Sequence, residues 1–128
     1  MIIRIPLLTR PKKNSQRIVL RNGKPIIIQS KQYKEFEEAC SNFIVPYELD
    51  MPINLKCTFY VPDRRRRDLV NLLNAIQDIL VKYGAISDDN YNVVQSVDGS
   101  RIIYEKGREE TIIEIEEEIC QKNTMDGN

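Results

Sequence analysis

The chain contains no histidine. That absence removes Ser/His/Asp and Cys/His catalysis, His-liganded zinc, and every nuclease mechanism that uses imidazole as its base. Chemistry, if present, falls to a carboxylate-bound Mg²⁺, a pair of carboxylates acting as acid and base, or a lysine nucleophile. Cysteine is scarce and unpaired in pattern: Cys40, Cys57 and Cys120 are odd in number and widely spaced. They fit neither a zinc site nor a redox motif, and are expected as small apolar side chains, buried or partly buried, in a reducing cytosol. Long hydrophobic runs are missing too. The opening MIIRIPLLTRPKK is interrupted by Arg4 and Pro6, so it reads as neither a secretory signal nor a membrane span. A soluble, cytoplasmic protein is expected, with no membrane partner and no organic cofactor, in one domain of 128 residues that buries its own core.

Net charge is zero, but it is unevenly spread. Residues 1–67 carry 14 basic and 6 acidic side chains and residues 68–128 carry 5 and 13, so the halves stand at +8 and −8. The first 34 residues hold nine basic side chains and no acidic one. Such a segment suits a polyanion such as nucleic acid. It equally suits an acidic C-terminal strand lying beside it and neutralising it.

Residues 1–5 read as a short strand and residues 9–15 as a basic loop presenting Lys12, Lys13 and Asn14. Two strands, 17–21 and 25–29, flank Asn22-Gly23, a tight hairpin turn. Ser30 caps a helix to about Phe43 with Tyr33, Phe36, Cys40 and Phe43 on one stripe, and Pro46 blocks its extension. That stripe is core rather than a cofactor box. The alternating INLKCTFYV of residues 53–61 is a strand. Asp68 caps a second helix, 69–83, whose Leu69, Leu72, Leu73, Ile76, Leu80 and Tyr83 share a face, and Gly84 ends it. Strands follow at 91–97, 101–105 and 110–117, separated by Asp98-Gly99-Ser100 and Lys106-Gly107-Arg108. The expectation is an α+β fold, a mixed sheet with two main helices packed on it.

The stretch from Asp63 to Asp89 is the richest in chemistry. Four arginines, Arg64 to Arg67, run into Asp68, and Asp88-Asp89 come 20 and 21 residues after it. The intervening helix is about 22 Å long. Asp68 and Asp89 therefore meet only if the return strand runs back along the helix. If they meet, they form a two-carboxylate pocket of the kind that holds a hydrated Mg²⁺ against a phosphate, with arginines on the flanking phosphates. The plainer readings are a helix cap, a loop and a solvated arginine run.

PDRRRRDL, followed by Asn71-Leu72, Ala75, Asp78, Leu80, Lys82, Gly84 and Asp88-Asp89, resembles the core motif of the RusA-type Holliday-junction resolvases. The resemblance is tight from Pro62 to Asp89 and loose over the rest of the chain. It implies a RusA-like domain over residues 1–120 with a frayed tail at 121–128. It also implies a homodimer that binds branched, four-way DNA and nicks two opposed strands, using Mg²⁺, with Mn²⁺ as a substitute. Asp68, Asp88 and Asp89 are then the catalytic and metal-binding residues. Arg64, Arg65, Arg66, Arg67, Lys12, Lys13, Asn14 and Lys82 are the DNA-binding ones. Two positions depart from the family pattern: Val70 stands where a second aspartate is typical, and Asn74 where a lysine is frequent. Both lie off the apolar stripe, so the fold tolerates them. For the chemistry, either Asp68 with Asp89 suffices, or Asp98 substitutes, or the protein binds junctions without cutting them. A more distant reading is an adaptor whose charged ends bind other proteins.

Overall fold

The computed structural model describes residues 1–12 and 16–118. Lys13, Asn14, Cys120 and the 121–128 tail, together with the domain boundary expected at residue 120, lie outside the described residues. The elements run β1 (Ile2–Ile5), β2 (Gln16–Arg21), β3 (Lys24–Gln29), α1 (Lys31–Cys40), β4 (Ile53–Val61), α2 (Leu69–Lys82), β5 (Val94–Ser96), β6 (Arg101–Tyr104) and β7 (Glu110–Glu117). This is the expected α+β arrangement, a mixed sheet with two helices. No described helix is long and apolar enough to cross a membrane.

β4 organises the main sheet. It pairs antiparallel with β7, which in turn pairs antiparallel with β1. Along its other edge β4 pairs in parallel with β5 near its start and with β6 near its end. Alternation along β4 sends Ile53, Leu55, Cys57 and Phe59 to one face, where all four are buried. Ile3, Ile5, Ile113 and Ile115 extend that face across β1 and β7. α2 covers it with Leu72, Ala75, Ile76, Ile79 and Leu80, and α1 with Tyr33, Phe36 and Cys40. Cys40 and Cys57 are buried free thiols, each pushed by burial up to about 12. The opposite face carries charged pairs, Arg4 with Glu110 and Lys56 with Glu114.

β2 and β3 form a separate two-stranded hairpin, closed by Asn22 and Gly23 at φ 54° and 76°. The positive angles expected of the Asn-Gly turn are therefore present.

Several boundaries differ from those expected of the sequence. α1 stops at Cys40 and a 3-10 turn, Ser41–Phe43, takes over. Phe43 is accordingly exposed rather than on the core stripe. α2 ends at Lys82, leaving Tyr83 as the half-buried residue that closes it. The strand expected at 91–97 shrinks to Val94–Ser96 because Val93 and Val94 both donate to the Asn90 carbonyl, making a turn of what precedes. The strand expected at 101–105 stops at Tyr104, and the Glu105 amide still reaches the Val61 carbonyl.

Gly84 ends α2 at φ +79°, and a Cβ there would lie 3.3 Å from the Pro46 Cβ. The left-handed backbone is costly for any other L-residue. Gly84→Ala is expected to destabilise the protein by about 1–2 kcal/mol, read as a lower urea midpoint with an unchanged m-value.

Candidate active site

β4 delivers the chain to the loop 62–68, and Asp63 decides how that loop is built. Its Oδ1 accepts from the Arg65 amide at 2.9 Å and from Arg67 Nη1 at 2.8 Å. Arg67 Nη1 also donates to the Asp63 and Arg65 carbonyls, both at 3.3 Å. The Arg67 side chain is only 15% exposed. It is a strut of the loop rather than a group offered to solvent. Arg65 Nε lies 3.7 Å from Asp63 Oδ2, with the side chain largely exposed. Arg64 and Arg66 have no carboxylate partner among the described residues. The Arg64 guanidinium sits 4.4 Å from the centre of the Tyr104 ring. Arg66 lines a small cleft of about 60 Å³ with Thr9, Pro11, Arg67, Asp68, Asn71 and Leu72.

Asp68 is the N-cap of α2: its Oδ1 accepts from the Asn71 amide at 3.2 Å. The Thr9 wall of the cleft is fixed by a buried 2.6 Å hydrogen bond between the Thr9 and Thr111 hydroxyls. Loop, cleft and capped helix all lie at the carboxyl end of β4. That is where open α/β sheets place ligands, and where a helix N-terminus favours an anion.

Asp88 and Asp89 lie elsewhere. They follow α2, whereas Asp68 precedes it, and the Ile53 amide at the start of β4 bonds to the Val93 carbonyl just beyond them. Asp89 feels the charges of Asp78 and Asp88. Asp78 is ten residues along α2 from Asp68, about 15 Å of helix axis. Among the described residues no group of three or more acid or thiol side chains is placed to hold a metal ion. Within one chain the structure therefore does not bring Asp68 together with Asp88 and Asp89. The reason is topological. β5 and β6 run parallel to β4, so the loop after α2 sits at the opposite end of the sheet from the loop before it.

Asp88 Oδ1 accepts from the Asp89 amide at 2.7 Å and Asp88 Oδ2 from Asn90 at 3.0 Å. Lost solvation first, then the Asp88 and Asp78 carboxylates, hold the Asp89 carboxyl above its ordinary range. Asp98 does not substitute beside Asp68. Its amide donates to Asn54 Oδ1 at 2.7 Å, near the start of β4, seven residues or about 23 Å of strand from Val61.

Two further basic candidates, Lys82 and Lys12, are engaged within the chain. Lys82 pairs with Glu37 of α1, which raises the lysine above its usual range. Lys12 lies 3.6 Å from Asp78. Val70 is 62% exposed and Asn74 is exposed, both off the core as expected. Of the two readings of the segregated charge, neutralisation accounts for Arg4 and Lys12, which meet Glu110 and Asp78 from the acidic half. It does not account for Arg64 and Arg66. Sequence reasoning missed Tyr104, the charge of Asp78 and the tethering role of Asp63. The i,i+4 spacing of Asp63 and Arg67 was the available signal for one of them; Tyr104, forty residues from Arg64, offers none.

A family model described as Endodeoxyribonuclease RusA matches residues 9–116. The chain belongs to the RusA family. Among its relatives, the crossover junction endodeoxyribonuclease RusA of Aquifex aeolicus (strain VF5) is 37% identical over 67 residues, which is 52% of this chain and 51% of that protein. The Escherichia coli (strain K12) RusA is 41% identical over 58 residues, 42% of this chain and 48% of that protein. The protein of the same name from Enterobacteria phage 82 is 45% identical over 51 residues, 37% of this chain and 42% of that one. The chain thus spans about half the length of the RusA relatives it matches.

Asp63 and Asp89 are expected to affect stability with opposite signs. The Arg67 hydrogen bond, then the Arg65 amide, hold Asp63 below the ordinary carboxylate range. Its contribution is present above that range and lost as pH falls through the lowered value. Asp63→Asn should therefore lower the melting temperature at neutral pH. Asp89 is shifted upward, so its contribution is present at low pH and lost as pH rises through the raised value. Asp89→Asn should raise the melting temperature at neutral pH. Thermal melts from pH 7 down to pH 3 check both, and each difference from wild type should close at the acid end.

Proposed function

We propose that the chain is a structure-specific endodeoxyribonuclease that resolves four-way DNA junctions as a homodimer, with a divalent cation, Mg²⁺ or Mn²⁺. The observation that carries this reading is the pairing pattern beside Asp68. Asp63 ties down Arg65 and Arg67, while Arg64 and Arg66 are left without acidic partners among the described residues, at the N-terminus of α2. Two arginines of this kind bind phosphates of either arm without reading bases. Membership of the RusA family supports the substrate class. The two-fold symmetry of a four-way junction matches a symmetric dimer.

The acidic residues proposed for cleavage are Asp68, Asp88 and Asp89. In a single chain they do not fit one ion site, since no described acidic cluster encloses a cation. No hydrolytic step is therefore assigned to a bound metal. What this chain's residues supply is orientation: Arg64 and Arg66 hold the backbone, and Asp68 presents a carboxylate beside them, with one oxygen capping α2. Lys12, Lys13, Asn14 and Lys82 extend the proposed DNA surface, with Lys12 and Lys82 exchanging intramolecular partners for phosphate.

A second reading, junction binding without cleavage, is favoured by Val70. Its exposed apolar side chain occupies the first turn of α2 where the family resemblance calls for an aspartate.

The deciding experiment incubates purified protein with a labelled four-way junction, with and without Mg²⁺ or Mn²⁺. Paired nicks that need the cation are expected, and tight binding with no nicks would establish the second reading. Asp68→Asn should abolish nicking while leaving the fold intact, because asparagine caps a helix as well as aspartate does. Binding of this variant should be unchanged or tighter. In a salt titration, Arg64→Ala/Arg66→Ala should flatten the log–log slope by about 0.9 for each phosphate no longer neutralised. Arg65→Ala should flatten it less. Val70→Asp places an acid in the first turn, where the helix dipole favours it. Nicking should then rise, or appear at lower Mg²⁺, and a fall would show that this site is built without an acid at residue 70.

A further inference from the structure

Arg64 and Arg108 both lie over tyrosine rings, and the contrast between them is informative. The Arg108 guanidinium is 3.4 Å from the centre of the Tyr60 ring and is saturated by Glu105 at 2.8 Å and Glu110 at 2.6 Å. That pair is internal to the fold. The Arg64 guanidinium, over Tyr104, has no carboxylate partner among the described residues, and Tyr104 is 41% exposed. An exposed aromatic ring and an uncompensated guanidinium stacked together offer a π surface and hydrogen-bond donors at one place.

The fold fixes where that place is. Tyr104 is the register partner of Val61, and Ile102 that of Phe59. Alternation therefore puts Tyr104 on the face that α2 covers. The Glu105 and Gly107 amides bond to the Val61 and Pro62 carbonyls at 3.0 and 3.1 Å, locking β6 and its turn to the start of the arginine loop. Arg64 is four residues before Asp68, at most about 14 Å of chain. A ring so placed lies at the carboxyl end of β4, the end that leads through the arginine loop to Asp68, on an edge strand open to solvent.

We propose that Tyr104, with Arg64 on its ring, is a stacking platform for an unpaired or unstacked nucleobase of the branched DNA, with Arg64 also holding that nucleotide's phosphate. Bases stack on aromatic rings and on guanidinium planes without regard to sequence. A fully paired duplex keeps its bases stacked on one another and has none to offer, so the platform favours branched over linear DNA. It rests on the nuclease reading above and adds the basis of its structure preference.

The test uses the full chain with a four-way junction carrying 2-aminopurine at single positions around the branch point, and a linear duplex of the same sequence. Tyr104→Ala is expected to weaken junction binding about tenfold while duplex binding stays within about twofold. The change in 2-aminopurine emission on binding should vanish at one branch position. Tyr104→Phe, which keeps the ring, should behave as wild type. Tyr104→Leu, which keeps bulk without a π face, should behave as alanine and serves where the alanine variant fails to fold. Unchanged junction affinity and emission in the Ala and Leu variants would overturn the platform alone. Equal losses on junction and duplex would also overturn it, reducing Tyr104 to a support for Arg64 on a phosphate. A wild type with no preference for the junction would overturn the nuclease reading and the platform together.

Discussion

β4 is hydrogen-bonded along both edges, to β7 on one side and to β5 and β6 on the other, and its inward face is buried from end to end. Its partners on the second edge are parallel to it. A parallel partner cannot be reached by a hairpin, so the chain must leave at one end of β4 and come back at the other. α2 is that crossing. Everything of chemical interest is distributed by this requirement: the arginine loop and Asp68 at the departure end, Asp88 and Asp89 at the return end. A hydrophobic helix face and a parallel register thus decide which carboxylates are neighbours.

At the departure end, one carboxylate settles the roles of four consecutive arginines. Asp63 accepts from a backbone amide and from a guanidinium, so Arg67 is drawn inward and the loop backbone is held. Charge-assisted hydrogen bonds of this kind are short and directional. Arg64 and Arg66 point elsewhere, one to a ring and one to a cleft. A run that looks uniform in sequence becomes one strut, Arg67, one exposed cation loosely paired with Asp63, Arg65, and two cations without an acidic partner among the described residues.

At the return end, Asp78, Asp88 and Asp89 hold negative charge close together, and Lys12 stands against Asp78 as a counter-charge. Lost solvation first, and then the crowding of carboxylates that oppose one another's ionisation, raise the Asp89 carboxyl. The open face of the sheet is different, with Arg4 and Lys56 set opposite Glu110 and Glu114. There the basic and acidic halves of the chain cancel locally. Among the described residues, charge is thus compensated on the sheet face, only partly compensated in the arginine loop, and crowded with one sign at the acidic turn.

Local pattern was enough for much of this. Alternation in residues 53–61, the apolar spacing of α2, the Asp68 and Ser30 caps, the Asn22-Gly23 hairpin and the stop at Gly84 all depend on residues within a few positions of one another. The string from Pro62 to Asp89 carried the family, because it is one contiguous segment. Short strands were blurred: a turn at Asn90 removed three residues from the start of β5, since hydrogen bonding to a single carbonyl leaves no mark on hydrophobic period. The relation of Asp68 to Asp89 was not legible at all. Twenty-one residues of spacing say nothing about which end of a sheet a loop occupies; parallel pairing of β4 with β5 and β6 does. The same holds for Lys82 against Glu37 and Arg64 against Tyr104, pairs 45 and 40 residues apart that meet only because whole elements pack together. The sequence by itself determined the elements, their buried faces and the family, because those follow from near-neighbour chemistry. Only the tertiary structure decided which charges are consumed inside the chain and which remain for a ligand, because pairing depends on distances that folding alone creates.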